Sequence, residues 1–453
     1  MTAATPHSGA SNDELERGPR VLITAEHASA RFGGEASLPL HYFRVLLARG
    51  IPVWLITHGR VRRELQTVFP DSADRIFYID DTWVHLALWK ASHWLPARMS
   101  YLTTDYLMRI VTQRSQRSLA RALVKQFGIT VVHQPMPVSP KEPSLLHGLG
   151  APVVIGPMNG GMDYPTGIRL HRSSLIEALV GVGRAASSVL NWLVPGKRRA
   201  AVLLVANART RAALPRGVTT RVVELVENGV DLSLWQAPAA PLPAPDDGVT
   251  RFVFLGRLVD WKAVDLLLTA FAQARAQAPM SLLIIGDGAM AAPLKEQAAR
   301  LDLIGSREGE PSKVLFAGWV PQAECAGKLR SQHCLVLPSL MECGGAVVLE
   351  AMALGLPVIA TAWGGPADYL DPGCGILVAP TSRDALVGGL ADAMTRLARD
   401  PALRASMGHA GRQKVLREFD WEAKVDRMLE VYRDAAETHR PNTSDALGYS
   451  RAR

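Results

Sequence analysis

The run Cys334-Leu-Val-Leu-Pro-Ser-Leu-Met-Glu-Cys-Gly-Gly-Ala-Val-Val-Leu-Glu-Ala-Met-Ala353 reads as a short apolar strand, a glycine-bearing loop and a helix. The strand, Cys334–Leu337, has no polar alternation, as expected where both faces of a sheet are covered. The helix, Ala346–Leu354, opens just after Gly344 and Gly345. Two glycines at a helix start let backbone N–H groups approach an anion, and the helix dipole favours negative charge there. Gly344, Gly345 and Ala346 therefore suit a pyrophosphate. Glu350, one turn further on, is placed to accept the hydroxyl protons of a ribose. Glu342 lies in the loop, close to whatever the phosphate carries.

The same alternation extends on both sides. Strand Arg251–Leu255, helix Val264–Gln277, strand Ser281–Ile285, helix Met290–Leu301, strand Val314–Ala317 and helix Gln322–Ser331 precede the run, and strand Pro357–Thr361 closes the series. Earlier, Arg20–Thr24, the glycines Gly33 and Gly34, a helix Leu40–Arg49 and a strand Ile51–Thr57 make a strand–helix–strand unit, which requires parallel pairing. Ile129–His133, Pro152–Gly156, Ala201–Ala206 and Arg221–Val226 continue it. Between the two series, residues 237–249 are proline-rich and aperiodic, which reads as a linker.

The expected fold class is α/β, with two tandem doubly wound Rossmann-like domains. A tail at 1–19 precedes an N-terminal domain at 20–236. The linker at 237–249 leads to a nucleotide-binding domain at 250–415. A helix at 416–437 is expected to return to the N-terminal domain, before a tail at 438–453. In such sheets ligands bind beyond the carboxyl ends of strands. Arg257 and Lys262 stand just after strand Arg251–Leu255, where an arginine fork and a lysine point charge can neutralise a leaving diphosphate. Gly286-Asp287-Gly288 makes a turn after the next strand. Trp319 and Val320 follow a third, where backbone groups can meet a nucleobase.

Composition sets wider bounds. Hydrophobic residues form 48% of the 453-residue chain and charged residues 20%, which excludes a disordered protein. The net charge of +8 is uneven: residues 1–235 carry 27 Lys+Arg against 17 Asp+Glu, and the remainder 23 against 25. A basic half favours anionic partners. No Cys/His zinc spacing and no basic run interleaved with aromatics points to nucleic acid. No Asp-x-Asp pattern marks a metal site. Cys325, Cys334, Cys343 and Cys374 include no C-x-x-C pair, and residues 1–19 lack the apolar core of a signal peptide, so reduced thiols and a cytoplasmic location are expected. Leu175–Val194 is the longest apolar stretch, broken by Glu177, Arg184 and Asn191 and followed by Lys197-Arg198-Arg199. It suits either a core helix or a peripheral contact with an anionic inner membrane. Trp83, Trp89, Trp94, Tyr101 and Tyr106, with Arg98 and Arg109, offer the same two readings.

Taken together, Glu342-x7-Glu350, Gly256-Arg257-Leu258 with Trp261-Lys262, Gly286-Asp287-Gly288, Ala317-Gly318-Trp319-Val320 and Asn228-Gly229-Val230-Asp231 resemble glycosyltransferase family four. That resemblance implies the GT-B fold and a retaining, metal-independent transfer of a sugar from a nucleotide-diphosphate sugar, which is a substrate and not a bound cofactor. The acceptor it implies is a glycan or lipid-linked hydroxyl in bacterial surface polysaccharide assembly. It also places Gly33 and Gly34 near the donor phosphate or acceptor and His133 near the transferred sugar. Asn159-Gly160-Gly161 is a candidate acceptor loop. The family usually carries Phe where this chain has Gly344. Two rivals share the fold: a sugar-nucleotide epimerase working with paired carboxylates, and a non-catalytic nucleotide-sugar-binding protein.

Overall fold

The computed structural model describes residues 18–32, 34–94, 103–168, 187–218, 220–235 and 247–439. The chain divides into two units. One comprises Met1–Met158, Val182–Glu227 and Val425–Arg453, and the other Asn159–Gly181 and Asn228–Lys424. The chain thus leaves and re-enters each unit: 159–181 groups with the later strands, and the last helix groups from Val425 onward with the earlier ones. Residues 237–246 of the expected linker, and 1–17 and 440–453 of the two expected tails, lie outside the described residues; Thr438, expected in the last tail, ends the last helix.

The first unit holds a parallel seven-stranded sheet of β1 (Val21–Thr24), β2 (Val53–His58), β3 (Ile76–Ile79), β4 (Val131–Gln134), β5 (Val153–Met158), β6 (Val202–Val205) and β7 (Arg221–Glu224). Their spatial order is β3-β2-β1-β4-β5-β6-β7. The chain runs outward from β1 to β3, then crosses back to place β4 on the other side of β1, so the topological switch lies between β1 and β4. Four helices matter below: α1 (Gly34–Ala48), α2 (Trp83–Ser92), α3 (Thr104–Phe127) and, at the chain's end, α10 (Trp421–Thr438). Helix α3 stops at Gly128, whose φ of +58° is the left-handed conformation that glycine adopts without strain. Beneath it, Leu22, Ile56, Leu123, Val132, Leu146, Ile155 and Leu203 form one buried cluster.

The second unit repeats the plan with six strands, β8 (Thr250–Leu255), β9 (Met280–Ile285), β10 (Val314–Gly318), β11 (Cys334–Leu337), β12 (Val358–Thr361) and β13 (Gly375–Val378), in the order β10-β9-β8-β11-β12-β13. Its switch lies between β8 and β11. Helices α4 (Val264–Ala274), α5 (Ala291–Arg300), α6 (Gln322–Arg330), α7 (Ala346–Ala353), α8 (Arg383–Arg399) and α9 (Pro401–Glu418) cover the faces. Ser382 caps α8 by accepting from Ala385 N–H, and Asp400 caps α9 by accepting from Leu403 N–H. The core is built from fully buried Phe252, Phe254, Phe271, Leu283, Val336, Ile359 and Leu390.

Two strands depart from the sequence reading. β13 continues the series that was expected to close at Thr361, and β3, a partly exposed edge strand, was not anticipated. Neither reads as a plain apolar run: β3 carries Tyr78 and is followed directly by Asp80 and Asp81, and β13 opens on Gly375 just after Asp371-Pro372-Gly373.

Candidate functional site

At the switch of the second sheet, the loop after β8 meets the loop after β11. Leu340 N–H donates to the Trp261 carbonyl at 2.8 Å, tying the two backbones. The Lys262 ammonium forms an ion pair with the Glu342 carboxylate, each side chain only 15% exposed. Ser339, fully buried, donates to the same carboxylate at 3.3 Å. Gly345, at φ +78°, is the residue from which α7 departs. The loop after β12 closes against the same segment: Gly365 N–H donates to the Glu342 carbonyl at 2.8 Å, and a Cβ on Gly364 would stand 2.2 Å from that oxygen. The backbone around Glu342 is thus fixed from two sides.

The loops after β9 and β10 are joined to this frame in the same way. Leu258 N–H donates to Asp287 O at 2.9 Å, and Gly286 N–H to Gly318 O at 2.8 Å. A Cβ on Gly286 would lie 1.9 Å from Gly256 O, and one on Gly288 2.4 Å from Leu258 O. Close backbone approach explains these glycines. The Asp287 carboxylate accepts from Gly288 N–H and so shapes its own turn. Trp319 is 71% exposed at the end of β10, an unburied aromatic face beside the same loops.

Against this fixed frame, Arg257 is exposed, and among the described residues no hydrogen bond or ion pair engages its guanidinium. An unengaged guanidinium fork at a strand end can take an anion through two parallel hydrogen bonds. Glu350 lies one turn into α7. Burial pushes its carboxyl up to about 7, offset in part by a hydrogen bond from the Gln322 side chain on α6. Gln322 carries no motif, and the sequence reading passed over it. Arg257, Lys262, Glu342, Gly344, Gly345, Ala346 and Glu350, with the turn at Gly286 and Asp287 and the strand end at Trp319 and Val320, therefore all stand on loops or helix starts following strands of one sheet.

Asn159 joins this group. Its amide donates to the Cys343 carbonyl at 2.7 Å, and Trp363 Nε1 donates to the Asp163 carbonyl at 2.9 Å. The candidate acceptor loop thus lies against the loop that carries Glu342. The Asn228–Asp231 segment has a packing role: Val230 N–H donates to Phe419 O, and the position of a Cβ on Gly229 is 3.0 Å from the Trp421 ring.

Four expectations need correction or restriction. His133 is completely buried. Its Nε2 donates to Gly156 O at 2.7 Å, its Nδ1 accepts from the Tyr432 hydroxyl at 2.7 Å, and Tyr42 packs edge-on at 4.9 Å. Burial holds this imidazole neutral, down to about 4. With both ring nitrogens occupied inside the protein it braces β4, β5 and α10, and does not present itself to a sugar. Lys197, read as one of three surface cations, is 2% exposed and donates to the carbonyls of Ser139 and Pro140 at 3.1 and 2.8 Å. Gly33, Arg98, Tyr101 and the part of Leu175–Val194 up to residue 186 lie outside the described residues. Gly34 is the first residue of α1. Trp83, Trp89 and Trp94 are 80, 52 and 90% exposed, so they are not a core face.

Residues 243–414 match the family model for glycosyl transferases group 1. The D-inositol 3-phosphate glycosyltransferase of Kribbella flavida is 31% identical over 231 residues, 49% of this chain and 53% of that protein. The glycogen synthase of Mycobacterium tuberculosis is 28% identical over 255 residues, 55% of this chain and 58% of that one. The chain thus spans just over half the length of these curated relatives. Among solved structures, sucrose-phosphate synthase from Thermosynechococcus elongatus aligns with a TM-score of 0.59 at 20% identity, covering 93% of this chain and all of that one. At that identity the likeness shows the fold, which is GT-B.

Proposed function

Because residues 243–414 match the family model for glycosyl transferases group 1, we propose that the chain moves a sugar from a nucleotide-diphosphate sugar to an acceptor hydroxyl. The observation that carries this reading is the unengaged Arg257 in the same loop as Lys262, which forms a partly buried ion pair with Glu342 at the switch of the second sheet. Arg257 and Lys262 neutralise the diphosphate and stabilise it as it leaves. The N–H groups at Gly345 and Ala346 reach its oxygens, Glu350 holds the ribose, and Glu342 meets the sugar.

The reaction is proposed to retain configuration. The acceptor oxygen forms its bond to the sugar's anomeric carbon on the face from which the diphosphate departs. The anomeric C–O bond breaks, and a phosphate oxygen takes the acceptor's proton. The two cations fill the charge-neutralising role that a divalent metal plays elsewhere. An epimerase would need a pair of carboxylates facing the sugar, whereas the motif's second carboxylate, Glu350, stands a turn into α7 and is assigned to the ribose.

The relatives' names divide the acceptor question, one being a D-inositol 3-phosphate glycosyltransferase and one a glycogen synthase. For this chain we propose a glycan or lipid-linked acceptor in surface polysaccharide assembly, met at an anionic membrane. No helix among the described residues is long and apolar enough to cross a membrane. Support for a peripheral contact comes from the exposed Trp83, Leu86 and Trp89 on α2, and from exposed Val189, Trp192 and Leu193 beside Arg199. Incubation with radiolabelled nucleotide sugars, with and without a lipid-linked acceptor, tests the reading. Transfer that requires the acceptor is expected. Interconversion of the donor without an acceptor would favour the epimerase.

A further inference from the structure

The first sheet has a switch point of its own, between β1 and β4, and two adjoining cavities open there. One of about 280 Å³ and one of about 310 Å³ share Glu26, Arg109 and Thr112. Glu26 follows β1, Gln134 ends β4, and His58 ends β2, so the cavities lie beyond the carboxyl ends of three adjacent strands. Their volumes together fall in the range of small-molecule sites, roughly 300–1,000 Å³. None of these residues belongs to a motif, and all belong to the first unit.

The charges around the cavities are unbalanced toward the acidic side. Glu26, Glu35, Asp105 and Glu142 face two cations, Arg60 and Arg109. Both cations are engaged: Arg109 with Glu142 at 2.5 Å, and Arg60 with Asp81 at 2.8 Å. The basic excess of residues 1–235 is therefore not expressed here. Between the carboxylates stand amides. Gln116 is 2% exposed, and its Nε2 has no hydrogen-bond partner, so a buried donor is left open in the wall. Leaving such a donor unsatisfied is costly, and native proteins rarely do so without a ligand or water to meet it. Carboxylates that accept, with an amide that donates, match vicinal hydroxyls, each of which gives one hydrogen bond and takes another. A phosphate would meet carboxylates where it needs cations.

We infer that this cavity pair binds an uncharged polyhydroxylated ligand, the sugar end of the acceptor, and discriminates against phosphorylated sugars. The inference rests on the glycosyltransferase reading for the word acceptor alone, since the site's preference follows from its own groups. Burial also raises the Glu26 carboxyl above its ordinary range, against the opposing pull of Arg109 and Arg60.

The test is saturation-transfer NMR and calorimetry on the full chain, without donor. The probes are methyl α-glucoside, methyl α-galactoside, methyl α-mannoside, myo-inositol and maltose, set against glucose 6-phosphate, galactose 6-phosphate, mannose 6-phosphate and inositol 3-phosphate. At least one uncharged probe should bind at least tenfold more tightly than its phosphorylated counterpart. Gln116→Leu should weaken that probe about tenfold, the loss of one hydrogen bond and the order of effect it implies. Glu26→Gln, which keeps the shape, should weaken it and narrow the preference over the phosphorylated sugar. Tighter binding of a phosphorylated probe, no binding of any uncharged one, or indifference to both substitutions overturns the inference. Titrating a nucleoside diphosphate into the same samples separates the two readings. Nucleotide binding with no sugar binding sinks only this one, and sugar binding with no nucleotide binding sinks the donor assignment.

Discussion

Lys262 and Glu342 form a nearly buried ion pair across the switch point of the second sheet, joining the loop after β8 to the loop after β11. Removing one member of this partly buried pair leaves the other charge without its partner. Lys262→Ala is therefore expected to cost both donor affinity and some stability. Arg257→Ala is expected to leave stability unchanged, because among the described residues its guanidinium is unengaged. Turnover should fall on the order of 10²–10³-fold in each, the scale of losing one group that stabilises developing charge. Steady-state kinetics paired with thermal melts check this split.

Nucleotide affinity should depend on pH through Glu350. Burial raises its carboxyl to about 7 from an ordinary 4.5. The folded chain therefore binds more protons than the unfolded one between those values, and the stability this group contributes falls as pH rises through the window. Ribose hydroxyls donate to the ionised form. Binding of a nucleoside diphosphate should thus release a proton below about pH 7 and tighten as pH rises toward 7, by at most about tenfold per unit. Glu350→Gln should flatten the profile. Calorimetry in buffers of different ionisation enthalpy measures the proton directly.

The glycines at the strand ends should be intolerant of a side chain for reasons of space and φ. Gly286→Ala places a methyl 1.9 Å from Gly256 O at φ +142°, and should lower stability by about 3 kcal/mol or more. Gly388→Ala, in the interior of α8 with nothing within 4 Å of the new methyl, should raise it by about 0.5–1 kcal/mol. Urea denaturation of both variants gives the two signs.

Membrane contact predicts binding to anionic vesicles at low salt that weakens toward about 0.5 M, as screening shortens the reach of surface charge. Trp89→Ser and Trp192→Ser should reduce it, since both rings are more than half exposed. Arg199→Ser should reduce it as well. Lys197→Ser should not act through charge at the lipid surface, because that ammonium is enclosed by the carbonyls of Ser139 and Pro140. Vesicle co-sedimentation across a salt series decides it.

The grouping of these residues in the second unit was legible because it is local. Gly256 to Lys262 and Glu342 to Glu350 are short runs, each attached to one strand end, so spacing alone brings them to one edge of the sheet. The two-domain α/β architecture was legible for the same reason, from apolar strands alternating with helices. The cavity between β1 and β4 was not, because Glu26, Arg109 and Gln134 are isolated polar residues that meet only through the sheet order. His133 misled through its place after a strand. What decides its role is Tyr432, 299 residues later in α10, which no local pattern announces. Lys197 misled through its neighbours: two arginines beside it suggested a surface run, while the Ser139 and Pro140 carbonyls draw it inward.

The central claim is that the second unit holds a nucleoside diphosphate by Arg257 and Lys262 at the switch between β8 and β11. The most direct measurement is calorimetric titration of UDP, GDP and ADP into the wild-type chain and into Arg257→Ala, with EDTA present throughout. At least one nucleotide should bind the wild type without added metal, and Arg257→Ala should weaken that binding at least tenfold while melting at the wild-type temperature. Failure of all three to bind without a divalent ion, or equal affinity in Arg257→Ala, would contradict the account.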